Sequence, residues 1–254
     1  MVGGVAGGTC PVAAGIGSVF QVVFNNLSQE VAGLCALYRG LGRGFGNRRG
    51  GGGMTHVLDF SRGLGVTRPT FVPGAGQFWL RVALWLAFVA WSQRLLGLDY
   101  RTGEMGASFL HYPLMVFHEA GHAVFSVFGK WLMVAGGSVM QLTMPALLCG
   151  GLWVTNRDAF GAALGAWFFG VSLLDIAPYV YDAWQPRLTL LNGETGTVDS
   201  HDWMYLLSSV GAVDQSQQLG RMVYGLGAGV VVVSLLLAGW VLLHQYRTHF
   251  RLRV

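Results

Sequence analysis

Five residues constrain this chain more than any others: His118-Glu119-Ala120-Gly121-His122, set inside an apolar run from Ala107 to Phe128. Read as a helix, His118 and His122 lie one turn apart on one face. Two imidazoles can then address a single metal ion, and Glu119 can reach a water beside it. With seven His and four Glu in 254 residues, chance would produce the pattern about 0.003 times. Leu114, Met115, Val116 and Phe117 precede it and Ala123, Val124 and Phe125 follow, so the surroundings read as lipid rather than water.

Composition agrees with that setting. Charged residues make up 11% of the chain and hydrophobic ones 53%, whereas a soluble domain carries about 25% charged residues. The expected class is an all-α, polytopic integral membrane protein of a bacterial-type cell membrane. The net charge of +4 comes from scattered Arg and a single Lys, Lys130, with no continuous basic stripe; nucleic acid is therefore excluded as a partner. Cys10, Cys35 and Cys149 are odd in number and lack CxxC spacing, which points to neither a disulfide framework nor a cysteine zinc site.

Hydropathy divides the chain. Residues 1–53 hold 15 of the 39 Gly and no sustained period. They read as a Gly-rich tail without a secretory signal, or as a stretch upstream of a true start at Met54. Residues 54–77 form a polar approach with Pro69 and Pro73. A single helical membrane domain follows over 78–254, with about five spans: 78–98, 107–128, 131–154, 159–181 and 222–244. Trp79, Trp85 and Trp91 with Arg81 and Arg94 read as interface anchors of the first span. Five alternating spans would place the two ends of the chain on opposite faces. The third span carries Gly136-Gly137-Ser138, which predicts close helix packing, and Gln141, which could touch substrate or a site water. The one sizeable polar loop, 183–221, contains His201-Asp202 beside Trp203, a pair suited to the mouth of a site. After it, 205–219 reads as a short amphipathic segment at the interface.

Two acids compete for a third metal ligand. Asp175 sits within the fourth span, where an unpaired carboxylate costs several kcal/mol, and Asp182 lies seven residues on, near the same helical face. His118 and His122 fall roughly 16–22 Å into the second span and Asp175 lies at a similar distance into the fourth. Depth therefore ranks Asp175 first. Pro178 removes a backbone hydrogen bond and is expected to kink or unwind this helix end, which would carry Asp182 back toward the metal and keeps it as the alternative.

HEAGH within a membrane helix, then a small-residue helix, then a helix with an acid and a proline, resembles the site-2 protease family of intramembrane zinc metalloproteases. The resemblance covers Ala107 to Asp182. It implies one Zn2+ held by His118, His122 and a later Asp, with Glu119 activating the hydrolytic water. The family's later motif reads Asn-x-x-Pro and then Asp-Gly. Here Asp175 stands for the Asn, Pro178 for the Pro and Asp182 for the metal-binding Asp, with spacing one residue shorter and Ala183 in place of Gly. That alignment favours Asp182 while depth favours Asp175, and both stay open. The turn at Thr155–Asp158 leaves no room for an inserted peptide-binding domain, so the chain would be a distant, minimal relative.

The chemistry expected is hydrolysis of peptide bonds in a membrane-embedded protein or peptide, with Glu119 as general base. His201, Asp202 and Gln141 are candidates for groups supporting the ligands or a water path. Two other classes are consistent with the residues: a metal-holding module without peptidase activity, and a haem or di-iron oxidoreductase using His111, His118, His122 and His201. The sparse histidines weigh against the latter.

Overall fold

The computed structural model describes residues 71–190, 193 and 195–249. The tail at 1–53 and most of the approach segment lie outside the described residues. Within them the chain is all helical: α1 Ala75–Leu96, α2 His111–Phe125, α3 Lys130–Val154, α4 Ala159–Asp182, α5 Asp202–Ser209 and α6 Ser216–His249. Three helices are long and apolar enough to cross a membrane, over Lys130–Val154, Ala159–Asp182 and Val213–Thr248. The only pairing outside helices among the described residues is one antiparallel bridge between Thr189 and Thr195.

Helix α4 is the hub, and its small residues explain why. A Cβ on Gly165 would sit 2.7 Å from the Cys149 backbone on α3, and one on Gly170 would sit 2.9 Å from Val231 on α6. Small side chains let membrane helices approach this closely. Trp167, Val171 and Leu174 then form a buried cluster with Leu95, Leu110, Leu114 and Val231. Pro178 does not unwind α4, which stays helical to Asp182 with Pro178 fully buried. Packing on both flanks holds the turn that lost its hydrogen bond.

Directions follow from the contacts. Helices α1 and α4 run parallel: Arg81 Nη2 meets Asp158 Oδ2 at 2.7 Å where both begin. Trp167 Nε1 donates to Ser92 Oγ at 2.7 Å further along, and the Tyr100 and Tyr181 rings meet at the far end. Helix α6 runs against both, with Tyr224 Oη donating to the Leu96 carbonyl and Trp85 Nε1 to the Leu235 carbonyl. Helix α3 is antiparallel to α4, since Asp158 N donates to the Leu152 carbonyl and Gln141 Nε2 to Asp175 Oδ2. The end of α1, the start of α3, the end of α4 and the start of α6 therefore share one side.

Helix α2 starts level with Asp175, which His111 Nδ1 meets at 2.8 Å, and ends toward that same side, where His122 Nδ1 meets the Met133 carbonyl. It has 15 residues, about 22 Å at 1.5 Å per residue, against a hydrocarbon core of about 30 Å. Its start is set by Pro113 in the first turn, where the missing N–H is harmless. The preceding Glu104–Ala107 is a 3-10 turn rather than the start of a span. Its end is set by Ser126–Phe128, again 3-10, and by Gly129 at φ 95°, backbone that a side chain disfavours. Five alternating spans would make α1 and α4 antiparallel, so that expectation does not match the observed packing.

Several anchors also differ from expectation. Arg81 is buried, not snorkelling; it stacks over the Phe71 and Phe160 rings and pairs with Asp158. Asp158 itself caps α4 by accepting from Phe160 N and Gly161 N. Trp85 makes an interhelical hydrogen bond, while Arg94 remains exposed. The amphipathic helix is 202–209 rather than 205–219, and α6 begins at Ser216, before the apolar stretch.

Removing one partner of a buried ion pair costs about 3–5 kcal/mol, and losing a cap about 1 kcal/mol more. Asp158→Ala should therefore lower thermal stability in detergent strongly. Asp158→Asn, which keeps the cap, should lower it less; equal melting temperatures for the two variants would show that the cap contributes nothing beyond the ion pair.

Candidate metal centre

The HEAGH turn of α2 packs against the small-residue stretch of α3. A Cβ on Gly121 would run into the Gly136 carbonyl, and one on Gly136 would lie 2.6 Å from Phe125 Cβ. The two helices touch backbone to backbone. One residue on, Gly137 faces both imidazoles: a Cβ there would stand 2.6 Å from His118 Nε2 and 2.8 Å from His122 Nε2. Gly136-Gly137 is thus a floor beneath the two histidines.

The third group is Asp202, the first residue of α5. Its Oδ2 lies 2.9 Å from His118 Nε2 and 3.1 Å from His122 Nε2. The ligand atoms of His118, His122 and Asp202 all fall within 4.8 Å of one another, the one such His, Cys, Asp or Glu group among the described residues. Burial pushes the Asp202 carboxyl up, but hydrogen bonds to His118 and His122, together with their charge, outweigh it and hold the group down to about 2. It is a carboxylate at any ordinary pH.

Each imidazole is oriented from behind. His122 Nδ1 lies 2.9 Å from the Met133 carbonyl, which can only accept, so Nδ1 carries the proton. His118 Nδ1 lies 3.0 Å from Gln141 Oε1, whose amide nitrogen donates to Asp175 Oδ2 at 2.8 Å. That donation turns the amide oxygen toward His118, so this Nδ1 is also the donor. In their neutral form both rings present Nε2 lone pairs toward a carboxylate oxygen. Three acceptors cannot hydrogen-bond one another; only extra protons or a cation satisfy them. Two imidazoles and a carboxylate suit zinc. Tetrahedral zinc at ordinary bond lengths separates its donors by roughly 3.3 Å, within a few tenths of an ångström of the His–Asp separations here. The residues fit the ion.

The two acids favoured by sequence lie elsewhere. Asp175 accepts from Gln141 and pairs with His111 Nδ1 at 2.8 Å, so it supports His118 through the amide. Depth counting misplaced it because helix α2 begins at His111, not Ala107, which sets His111 level with Asp175. Asp182 accepts from Arg187 N and Leu188 N and so closes the turn after α4; its oxygens are committed to backbone. His201 is buried and caps α5 by accepting from Met204 N at Nδ1, which seats Asp202 at the first helical position. His111 and His201 do not join His118 and His122, so the four-histidine arrangement of an oxidoreductase is not assembled.

Glu119 is exposed and lines, with the triad, a cavity of about 320 Å³. Ser138, Gln141, Tyr179, His201 and Trp203 contribute further walls. Asp202 lies 84 residues from His118, and no local spacing could have singled it out over the other acids. The one sequence cue was its place beside His201 and Trp203 in the polar loop. The chain matches no protein-family model, no curated protein and no solved structure, and the site therefore stands on its own geometry.

Gln141→Leu should weaken zinc binding about 10–100-fold by releasing the His118 ring. Gly137→Ala should abolish binding by displacing both imidazoles, with helical content by circular dichroism retained. Zinc affinity by competition with a chromophoric chelator reads both effects. Wild-type affinity in Gly137→Ala would show that the glycine floor is not needed.

Proposed function

We propose that the protein is a zinc-dependent membrane metallopeptidase with His118, His122 and Asp202 as its metal ligands. The observation that carries this reading is the convergence of two imidazole lone pairs and a carboxylate oxygen whose orientations are fixed from behind. The HExxH order supplies the remaining element, because Glu119 follows the first ligand and lines the same cavity. A zinc ion held there supplies Lewis acidity, polarising a carbonyl and acidifying water. Glu119 takes a proton from the attacking water and returns it to the leaving nitrogen. The water's oxygen ends on the carbonyl carbon, the C–N bond breaks, and the two products are a carboxylate and an amine. Gln141 and the Met133 carbonyl keep both imidazoles aimed throughout.

In the bilayer, α1, α3, α4 and α6 traverse and α2 enters from one face and returns to it. Support comes from the parallel course of α1 with α4, and from the 22 residues of α1, about 33 Å and enough to cross. This arrangement departs from the site-2 family pattern in the third ligand, which comes from the loop after α4 instead of the helix itself.

Metal analysis tests the centre directly. Purified wild type should hold one zinc per chain; Asp202→Ala should lose it, Asp175→Ala should bind more weakly, and Asp182→Ala should bind normally. Glu119→Gln should retain zinc while hydrolysis falls by at least about 100-fold. No stoichiometric zinc in wild type, or undiminished function in Glu119→Gln, defeats the reading. For topology, Gly74→Cys and Arg247→Cys in a chain with Cys10, Cys35 and Cys149 replaced by Ser should both react with an impermeant maleimide from the same side of sealed vesicles. Labelling from opposite sides would restore five alternating spans.

A further inference from the structure

Resting on the peptidase reading, we propose that the centre works at the membrane–water boundary. Its substrate would be the extended chain segment flanking one end of a membrane-spanning helix, not the middle of that helix.

Depth is the first ground. Lys130 and Trp131 open α3, and Trp184 follows the end of α4 on the same side; both Trp side chains are about half exposed, as interface residues are. From Trp131, the Met133 carbonyl that holds His122 lies roughly 3 Å along the helix, and Gly137 beneath both imidazoles roughly 9 Å. The midplane of the hydrocarbon core lies roughly 15 Å in. The third ligand comes from outside the spans, and loop residues Leu190, Ser200, His201 and Trp203 wall the cavity.

The cavity's own chemistry is the second ground. Three buried polar atoms on its lining residues have no hydrogen-bond partner among the described residues: Ser138 Oγ, His201 Nε2 and Trp203 Nε1. Trp203 Nε1 can only donate. His201 accepts at Nδ1 from Met204 N, so its Nε2 carries the proton. The nearest carboxylate oxygen to it, on Asp182, is 3.7 Å away, beyond hydrogen-bond reach. A buried donor of this kind is satisfied by an ordered water or by an acceptor that a bound ligand brings. A helical substrate keeps its carbonyls bonded to its own amides, while an extended peptide presents them free. Cavity depth and donor pattern thus select the same substrate: a non-helical stretch of polypeptide at the edge of the bilayer.

The test uses the full-length zinc-loaded protein in phosphatidylcholine–phosphatidylglycerol vesicles. The probes are synthetic single-span peptides, each a Leu/Ala-rich apolar stretch of 20 residues or so with Gly/Ser-rich flanks. Cleavage sites are mapped by mass spectrometry. Cuts should fall within about three residues of the apolar boundary, since 9 Å corresponds to roughly three extended residues. Cuts confined to the central turns of the apolar stretch would overturn the proposal while leaving the peptidase reading intact. Trp203→Phe keeps the ring and removes the donor. It should hold zinc normally and lose about tenfold in kcat/KM, mostly through KM. Unchanged kcat/KM would overturn the acceptor-binding role. If wild type holding one zinc cuts none of the peptides, the peptidase reading itself fails, and the proposal with it.

Discussion

Parallel packing of α1 on α4 is the constraint from which the rest of the architecture follows. A buried guanidinium–carboxylate pair at Arg81 and Asp158 joins the starts of the two helices, and the Trp167–Ser92 and Tyr100–Tyr181 contacts keep them in step. The chain between them must then pass from one end of the bundle to the other an odd number of times. Helix α3 makes one full passage, so α2 can make none. Helix α2 starts level with Asp175 and carries HEAGH back to the side on which the loop after α4 emerges.

That course brings His118 and His122 to Asp202. Asp202 belongs to a short helix outside the apolar spans, and only a shallow HExxH can meet it. Glycine permits the final approach: Gly121 against Gly136 brings the backbones together, and Gly137 leaves room for two imidazole rings. The hydrogen-bond chain from His111 through Asp175 and Gln141 to His118 then supports one ring, and a backbone carbonyl supports the other. Asp175 is buried without violating membrane energetics because His111 and Gln141 satisfy it. It lies behind His118 through Gln141 and does not itself meet the HEAGH histidines.

Much of the fold was legible in the residues. Apolar length gave α3 and α4 nearly to the residue. The histidine spacing located two of the three converging groups, and Gln141 and the His201-Asp202 pair were recognised as neighbours of a site. Other readings failed for physical reasons. Hydropathy cannot distinguish a helix that crosses from one that dips and returns, since both lie in apolar surroundings. Arg81 looked like a snorkelling anchor because its partner is 77 residues away. Pro178 looked like a helix breaker because its burial in the fold is invisible in one dimension.

The sequence by itself determined an all-helical, apolar chain with paired histidines one turn apart and a glutamate beside them. These properties follow from helical periodicity and composition, which are local. Only the tertiary structure decided which carboxylate meets the histidines, because Asp175, Asp182 and Asp202 are chemically alike and differ only in where packing puts them. Depth was decided in the same way. The side on which a helix ends depends on how its neighbours are paired, and here the Arg81–Asp158 ion pair with the Trp167–Ser92 and Tyr100–Tyr181 contacts sets it.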